Sequence, residues 1–151
     1  MTLAIVPGDL DDPRVRALLV HHVSSSRATG GCDHSLEVDE LKAPGIQFWA
    51  AWDDDRLLGV GALQRLAHDH GEIKSMHTAY DCRRRGVGSA LLLHIIDAAR
   101  AAAMRRLSLE TGSADYFAAA RALYRKHGFV VCEPFGAYAL DPSSVYMTRA
   151  L

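Results

Sequence analysis

Residues 83–92, RRRGVGSALL, set three arginines against two closely spaced glycines and then run straight into an apolar segment. A helix that starts here leaves its first backbone N–H groups unpartnered and carries about half a positive charge at that end, so it favours an anion. Glycine at 86 and 88 lets a ligand approach that backbone closely. The stretch lacks the Lys-Ser or Lys-Thr of a GxxxxGK[ST] phosphate loop. It also fails the GxGxxG dinucleotide pattern, because the third glycine position falls on Leu91, too bulky for close helix packing. The stretch therefore reads as a glycine turn and helix start that receive a phosphate-bearing ligand of another kind.

Working outward, GEIKSMHTA (71–79) is the strand that feeds this turn. The helix opening at Gly86 carries Val87, Leu91, Ile95, Ala98 and Ala102 on one face and Ser89, Asp97 and Arg100 on the other, so it must pack on a sheet. RRLSLET (105–111) follows as a strand with Leu107 and Leu109 alternating. SADYFAAARALYRKHGF (113–129) then offers Ser113 as a cap, apolar residues at helical spacing and Gly128 as a stop. FVVC and VYMTRA are the last two strands. Before the motif, TLAIV is a short strand, DDPRVRALLVHHVSSS (11–26) a helix, and SLEVDELK (35–42) a short helix capped by Ser35. IQFWAAW and LLGVGALQRL form a hairpin about the polar turn DDDR. The order β, α, α, β, β, β, α, β, α, β, β mixes hairpins and crossovers, which implies an α/β sheet with antiparallel and parallel parts.

The 151 residues fit one domain, residues 1–151, with 49% hydrophobic and 23% charged residues. A net charge of −1 provides no global field for nucleic acid or an acidic membrane, so an anion site must be built locally. The N-terminus lacks the pattern of a signal peptide, and no apolar run approaches the ~20 residues of a membrane span. A cytoplasmic enzyme is the expectation. Cys32, Cys82 and Cys132 are odd in number and widely spaced, which argues against a disulfide framework and a zinc site. His68, Asp69 and His70 lie on a turn without a third patterned ligand, so no metal is expected.

Two motifs carry a family resemblance. Arg83 to Gly88 fit [R/Q]xxGx[G/A] after a strand, and AARALYRKHGF (119–129) lies downstream at the expected distance. The chain resembles the GCN5-related N-acetyltransferases over nearly its whole length, least specifically at the N-terminal end. The resemblance implies the GNAT fold: a mixed central sheet of about six to seven strands, splayed between the fourth and fifth, flanked by about four helices. It implies acetyl-CoA as co-substrate, its pyrophosphate held by the backbone of Arg83, Arg84, Arg85, Gly86, Val87, Gly88 and Ser89. The arginine side chains have a secondary role, since basic runs are commonly a solvated face. The pantetheine arm would lie between KSMHT (74–78) and LSLET (107–111), along Met76, His77 and Thr78.

Acyl transfer to an amine needs a group to take the amine's proton, a donor for the developing oxyanion and a partner for the departing thiolate. Glu72 falls where the histone-modifying branch of the resembled family carries its catalytic Glu and is the first base candidate. Glu110 is the second, and either one acting directly or through water is open. By the same resemblance Tyr124 is the acid for the coenzyme A thiolate; on helical spacing alone it reads as core. A backbone N–H between Met76 and Thr78 would meet the oxyanion. No cysteine has a nucleophile arrangement, so direct attack in a ternary complex is expected. The acceptor, a primary amine of a small molecule or protein, would lie against His34, Phe135 and Tyr138, with His77 either lining it or sitting in the core. The alternative is a non-catalytic acyl-CoA-binding sensor. Homodimers are common among similar proteins; the sequence demonstrates none.

Overall fold

The computed structural model of the chain describes residues 2–28, 38–79 and 86–151. Among the described residues seven strands, β1 (Ala4–Pro7), β2 (Ile46–Asp53), β3 (Arg56–Ala67), β4 (His70–Thr78), β5 (Arg106–Gly112), β6 (Val130–Cys132) and β7 (Ser144–Ala150), form one sheet in the order β1-β2-β3-β4-β5-β7-β6. Among the described residues three α-helices accompany them, where about four were expected: α1 (Pro13–Ala28), α2 (Val87–Ala101) and α3 (Ala118–Lys126). No helix among the described residues is long and apolar enough to cross a membrane.

Every neighbouring pair is antiparallel except β4 with β5, which α2 connects as a crossover. That parallel pairing runs only from His70 opposite Arg106 to Ile73 opposite Leu109. Beyond it, Lys74–Thr78 and Glu110–Gly112 diverge, which is the splay expected between the fourth and fifth strands. Glu110 to Gly112 still pair with β7, so the opening lies on one side of β5 only.

The sheet separates two cores. Val15 and Leu19 of α1 bury against Phe48, Ala50, Val60 and Ala62 on one face. On the other, Val87, Leu91, Leu92, Ile95, Ile96 and Ala99 of α2 bury against Leu63, Ile73, Leu107 and Leu109. The stripe on α2 is thus rotated from the expected one: Ala98 and Ala102 are only partly buried, while Leu92, Ile96 and Ala99 go fully inside.

Two helical expectations change. The short helix after Ser35 is a 3-10 segment, Val38–Lys42, and its expected cap lies outside the described residues. The helix after Ser113 begins instead with a 3-10 turn, Asp115–Phe117, followed by nine residues of α3. Ser113 does not cap it, because the Ser113 hydroxyl donates to Pro142 O at 2.8 Å. The Arg121 guanidinium binds Gly112 O at 2.6 Å and Ala114 O at 3.0 Å, which ties the start of the helix to the end of β5. Gly128 ends α3 as expected, at φ 89°, and Phe129 N donates to Tyr124 O at 3.0 Å.

Hydrophobic alternation does not reveal a bulge in β4. Val60 pairs with His77 and Ala62 with Lys74, so two steps of β3 span three of β4, and Ser75 takes φ 55°. One extra residue exchanges the faces of everything after it. Glu72, Lys74 and His77 consequently point to the α1 side. Met76 and Thr78 point to the α2 side, where a Cβ on Gly61 would meet Met76 Sδ and one on Gly88 would approach Thr78 Oγ1.

Gly71 sits just before Glu72 in the closest-packed part of β4. A Cβ there would lie 2.5 Å from Met104 Sδ, 2.9 Å from Leu63 Cδ1 and 3.1 Å from Leu107 Cδ2. Gly71→Ala is expected to destabilise the chain by about 1–3 kcal/mol, the usual cost of overpacking a core, seen as a lower urea midpoint at unchanged slope.

Candidate active site

At the start of α2, Gly86 is in the left-handed region at φ 80°, ψ 7°, and no side chain among the described residues caps the helix. A Cβ at Gly86 would meet nothing within 4 Å among the described residues, so the glycine is required by backbone conformation. Gly86 O accepts from Ala90 N at 3.0 Å, which leaves the N–H groups of Val87, Gly88 and Ser89 as the orphan donors of the first turn. The Val87 side chain is buried, so its contribution to a ligand is its backbone. Arg83, Arg84 and Arg85 lie outside the described residues.

Gly88 brings α3 close: its Cβ would fall 3.0 Å from Leu123 Cδ2. Nearby, His127 Nε2 and Ser89 Oγ are 3.1 Å apart, joining the end of α3 to the first turn of α2. Tyr124, next to Leu123, is 7% exposed and stands edge-on to Phe129 at 5.9 Å. Burial pushes its phenol up to about 12, so it is neutral and a donor throughout the physiological range.

The opposite face of β4 and β5 carries a polar cluster that loop 133–143 covers. Tyr138 OH donates to Glu72 Oε2 at 2.6 Å; Lys74 Nζ lies 3.3 Å from the same oxygen and 3.1 Å from Tyr138 OH. Phe135 packs on Tyr138 at 5.2 Å and on Tyr146 at 6.0 Å. Tyr146 OH donates to Ala139 O at 2.8 Å, anchoring the loop. Ser144 Oγ donates to Glu110 Oε2 at 2.9 Å. Burial holds Glu72 above the usual carboxylate range; Lys74 and the Tyr138 bond oppose that rise, and Glu110 adds to it.

Beside this cluster, His22 of α1 and His77 of β4 meet through their Nδ1 atoms at 3.0 Å, with the His21 ring 5.7 Å from His77. Burial brings His22 down to about 4, so its imidazole is neutral near pH 7, and which Nδ1 donates depends on the tautomer. His77 therefore points to the α1 side rather than toward α2, and any contribution to the pantetheine arm is through its backbone.

Of the site residues proposed from sequence, Glu72, Tyr138, Phe135 and Glu110 come together on the α1 face. Tyr124, Gly86, Gly88 and Ser89 come together on the α2 face. The base and acid candidates thus occupy opposite faces of the sheet, and the splay is the gap between those faces. His34 lies outside the described residues. Glu72 is 3% exposed, so it is not a solvated strand end. Lys74, Ser144 and the pairing of His22 with His77 were missed. Lys74 was legible as the residue two after Glu72 on a strand; the other two depend on long-range register. Burial raises the Cys132 thiol, which suits it poorly for nucleophilic attack, and no group of three metal-ligating side chains occurs among the described residues.

Comparison with known proteins identifies the class. Residues 19–129 match the Acetyltransferase (GNAT) family. The chain is 44% identical over 145 residues to "Uncharacterized N-acetyltransferase YedL" of Escherichia coli, covering 95% of this chain and 91% of that one. It is 45% identical over 145 residues to "Uncharacterized N-acetyltransferase YsnE" of Bacillus subtilis, covering 95% and 96%. A solved Bacillus subtilis acetyltransferase in complex with CoA has the same fold, with a TM-score of 0.76 at 21% identity, covering 99% of each chain. The fold and these relatives define an acetyl-CoA-dependent N-acetyltransferase. The chain belongs to the GNAT acetyltransferase family.

Proposed function

We propose that this single-domain enzyme acetylates a primary amine, on a small molecule or a protein, by direct attack within a ternary complex. Acetyl-CoA would lie with its pyrophosphate on the N–H groups that open α2 and its pantetheine arm along Met76 to Thr78. The thioester would then reach the splay from the α2 face, and the amine would meet it from the α1 face. The observation that carries this reading is Glu72: a buried carboxylate on the α1 face, one residue before the last pair, beyond which β4 and β5 part.

An alkyl ammonium has a pKa of about 10.4 and must lose a proton to attack. Glu72 receives it, directly or through a water. As the amine nitrogen bonds to the thioester carbon, the carbonyl oxygen takes up negative charge, which a backbone N–H between Met76 and Thr78 stabilises. The C–S bond then breaks and the electron pair leaves on sulfur. Full proton transfer from Tyr124, at about 12, to a thiolate whose acid has a pKa of about 8.5 is uphill. Tyr124 therefore acts by donating a hydrogen bond to the departing sulfur, which is released as thiolate. The acceptor is expected against Phe135 and Tyr138, and the reaction belongs in the cytoplasm.

Tyr124→Phe removes the hydroxyl and keeps the ring. Since a hydrogen bond to a charged group contributes about 1.5–3 kcal/mol, kcat is expected to fall by about 10- to 100-fold. The Kd for acetyl-CoA should stay within about twofold, as this bond forms mainly in the transition state. Steady-state kinetics with calorimetry checks both, and an unchanged kcat would remove Tyr124 from the mechanism.

A further inference from the structure

We propose that Lys74 is a positioning residue for Glu72: together with the Tyr138 hydroxyl it holds the carboxylate as an anion and leaves one oxygen free for the acceptor's proton. This rests on Glu72 being the base proposed above.

The geometry is a closed triangle. Lys74 Nζ, Tyr138 OH and Glu72 Oε2 lie 3.1, 2.6 and 3.3 Å apart along its three sides. Both donors converge on Oε2, and among the described residues Oε1 accepts no hydrogen bond. The two roles of the carboxylate are thus divided between its oxygens, one anchored and one available. Lys74 Nζ also stands 5.7 Å over the Tyr138 ring, so the ammonium has ring and hydroxyl contacts with the same loop residue.

Burial makes this triangle consequential. The Lys74 and Glu72 side chains are 13% and 4% exposed, unlike the solvated pairs elsewhere, such as Lys42 with Asp11 at 43% and 78%. Exposed pairs are screened by water; a buried carboxylate stripped of its cation tends to take up a proton instead. Of the other groups on this face, the His22 and His77 imidazoles meet each other through Nδ1, and burial brings His22 down to about 4, so it carries no charge near neutral pH. Glu110 of β5 opposes ionisation. His70, two residues earlier on the same face, is engaged through Nε2 with Ser108 Oγ at 2.7 Å. The partner across on β3 is the neutral Gln64. Lys74 is therefore the charge that keeps Glu72 able to accept a proton near neutral pH.

The test is the pH profile of kcat/KM for the native chain, Lys74→Met, Lys74→Arg and Tyr138→Phe. The assay uses acetyl-CoA and whichever of benzylamine, L-lysine, spermidine and a peptide with a free N-terminus reacts fastest. Acetyl-CoA binding and thermal unfolding are followed in parallel. Lys74→Met should move the acid limb up by about one pH unit or more, lowering the rate on that limb about tenfold and recovering above it. Lys74→Arg should restore the native limb. Tyr138→Phe should shift it in the same direction by less, and it keeps the question answerable if Lys74→Met does not fold. An unmoved limb in Lys74→Met and Tyr138→Phe, or an equal loss at every pH with acetyl-CoA binding intact, overturns the positioning role. Full activity in Glu72→Gln overturns instead the base assignment beneath it.

Discussion

Glu72→Gln is expected to lower kcat/KM by about 10²- to 10⁴-fold, the usual range for removing a general base. The substitution is nearly isosteric, and an amide oxygen still accepts from Tyr138, so the loop contact at 2.6 Å has a replacement. The Kd for acetyl-CoA should not change, because Glu72 faces the α1 side of the sheet and the opening turn of α2 lies on the other. The sign of the pH dependence follows from the environment. A base works in its ionised form, and burial raises Glu72, so the native rate should climb with pH through a value above the ordinary glutamate range. The variant should lose that limb. A variant with the native rate and native limb would transfer the role to Glu110 or to solvent.

Gly86→Asp should weaken acetyl-CoA binding by on the order of 100-fold, about 2.7 kcal/mol, while leaving the fold intact. At φ 80° any other residue is strained, yet Asp is among those that tolerate the left-handed region, and a carboxylate at a helix start is a favourable cap. The same carboxylate would occupy the orphan N–H groups of Gly88 and Ser89 and repel a phosphate brought to them. At about 4 Å and an effective dielectric of about 20, one charge pair is worth about 4 kcal/mol, enough for the expected loss. Calorimetry reads the affinity, and a melting temperature close to native separates lost binding from lost folding. Native affinity in this variant would mean that the anion is not held at the start of α2.

The fold was largely legible because it depends on local chemistry. Gly86 and Gly128 mark a helix start and a helix stop, DDDR turns a hairpin, and Leu107 and Leu109 alternate as a strand must. Contacts made by residues far apart in the chain were not legible. Ser113 reads as a cap until Pro142, 29 residues away, takes its hydroxyl. The bulge at Ser75 decides which residues of β4 face α1, and no periodicity signals one extra residue. Glu72 and Tyr138 could be singled out separately, but the bond that joins them spans 66 positions. Lys74 was passed over because a lysine on a strand usually reaches solvent, and Tyr138 of the loop that covers this one lies 64 residues further on.

The most direct measurement is the initial rate of CoA thiol release with acetyl-CoA and a reactive primary amine both varied. Direct attack in a ternary complex predicts no release without the amine and intersecting double-reciprocal lines. A stoichiometric burst of thiol before the amine is added, with parallel lines, would mean a covalent acyl-enzyme and would contradict the assignment of Glu72 as the base for the acceptor. Tight binding of acetyl-CoA with no release on any amine would contradict it too, and would leave an acyl-CoA-binding module on an acetyltransferase fold.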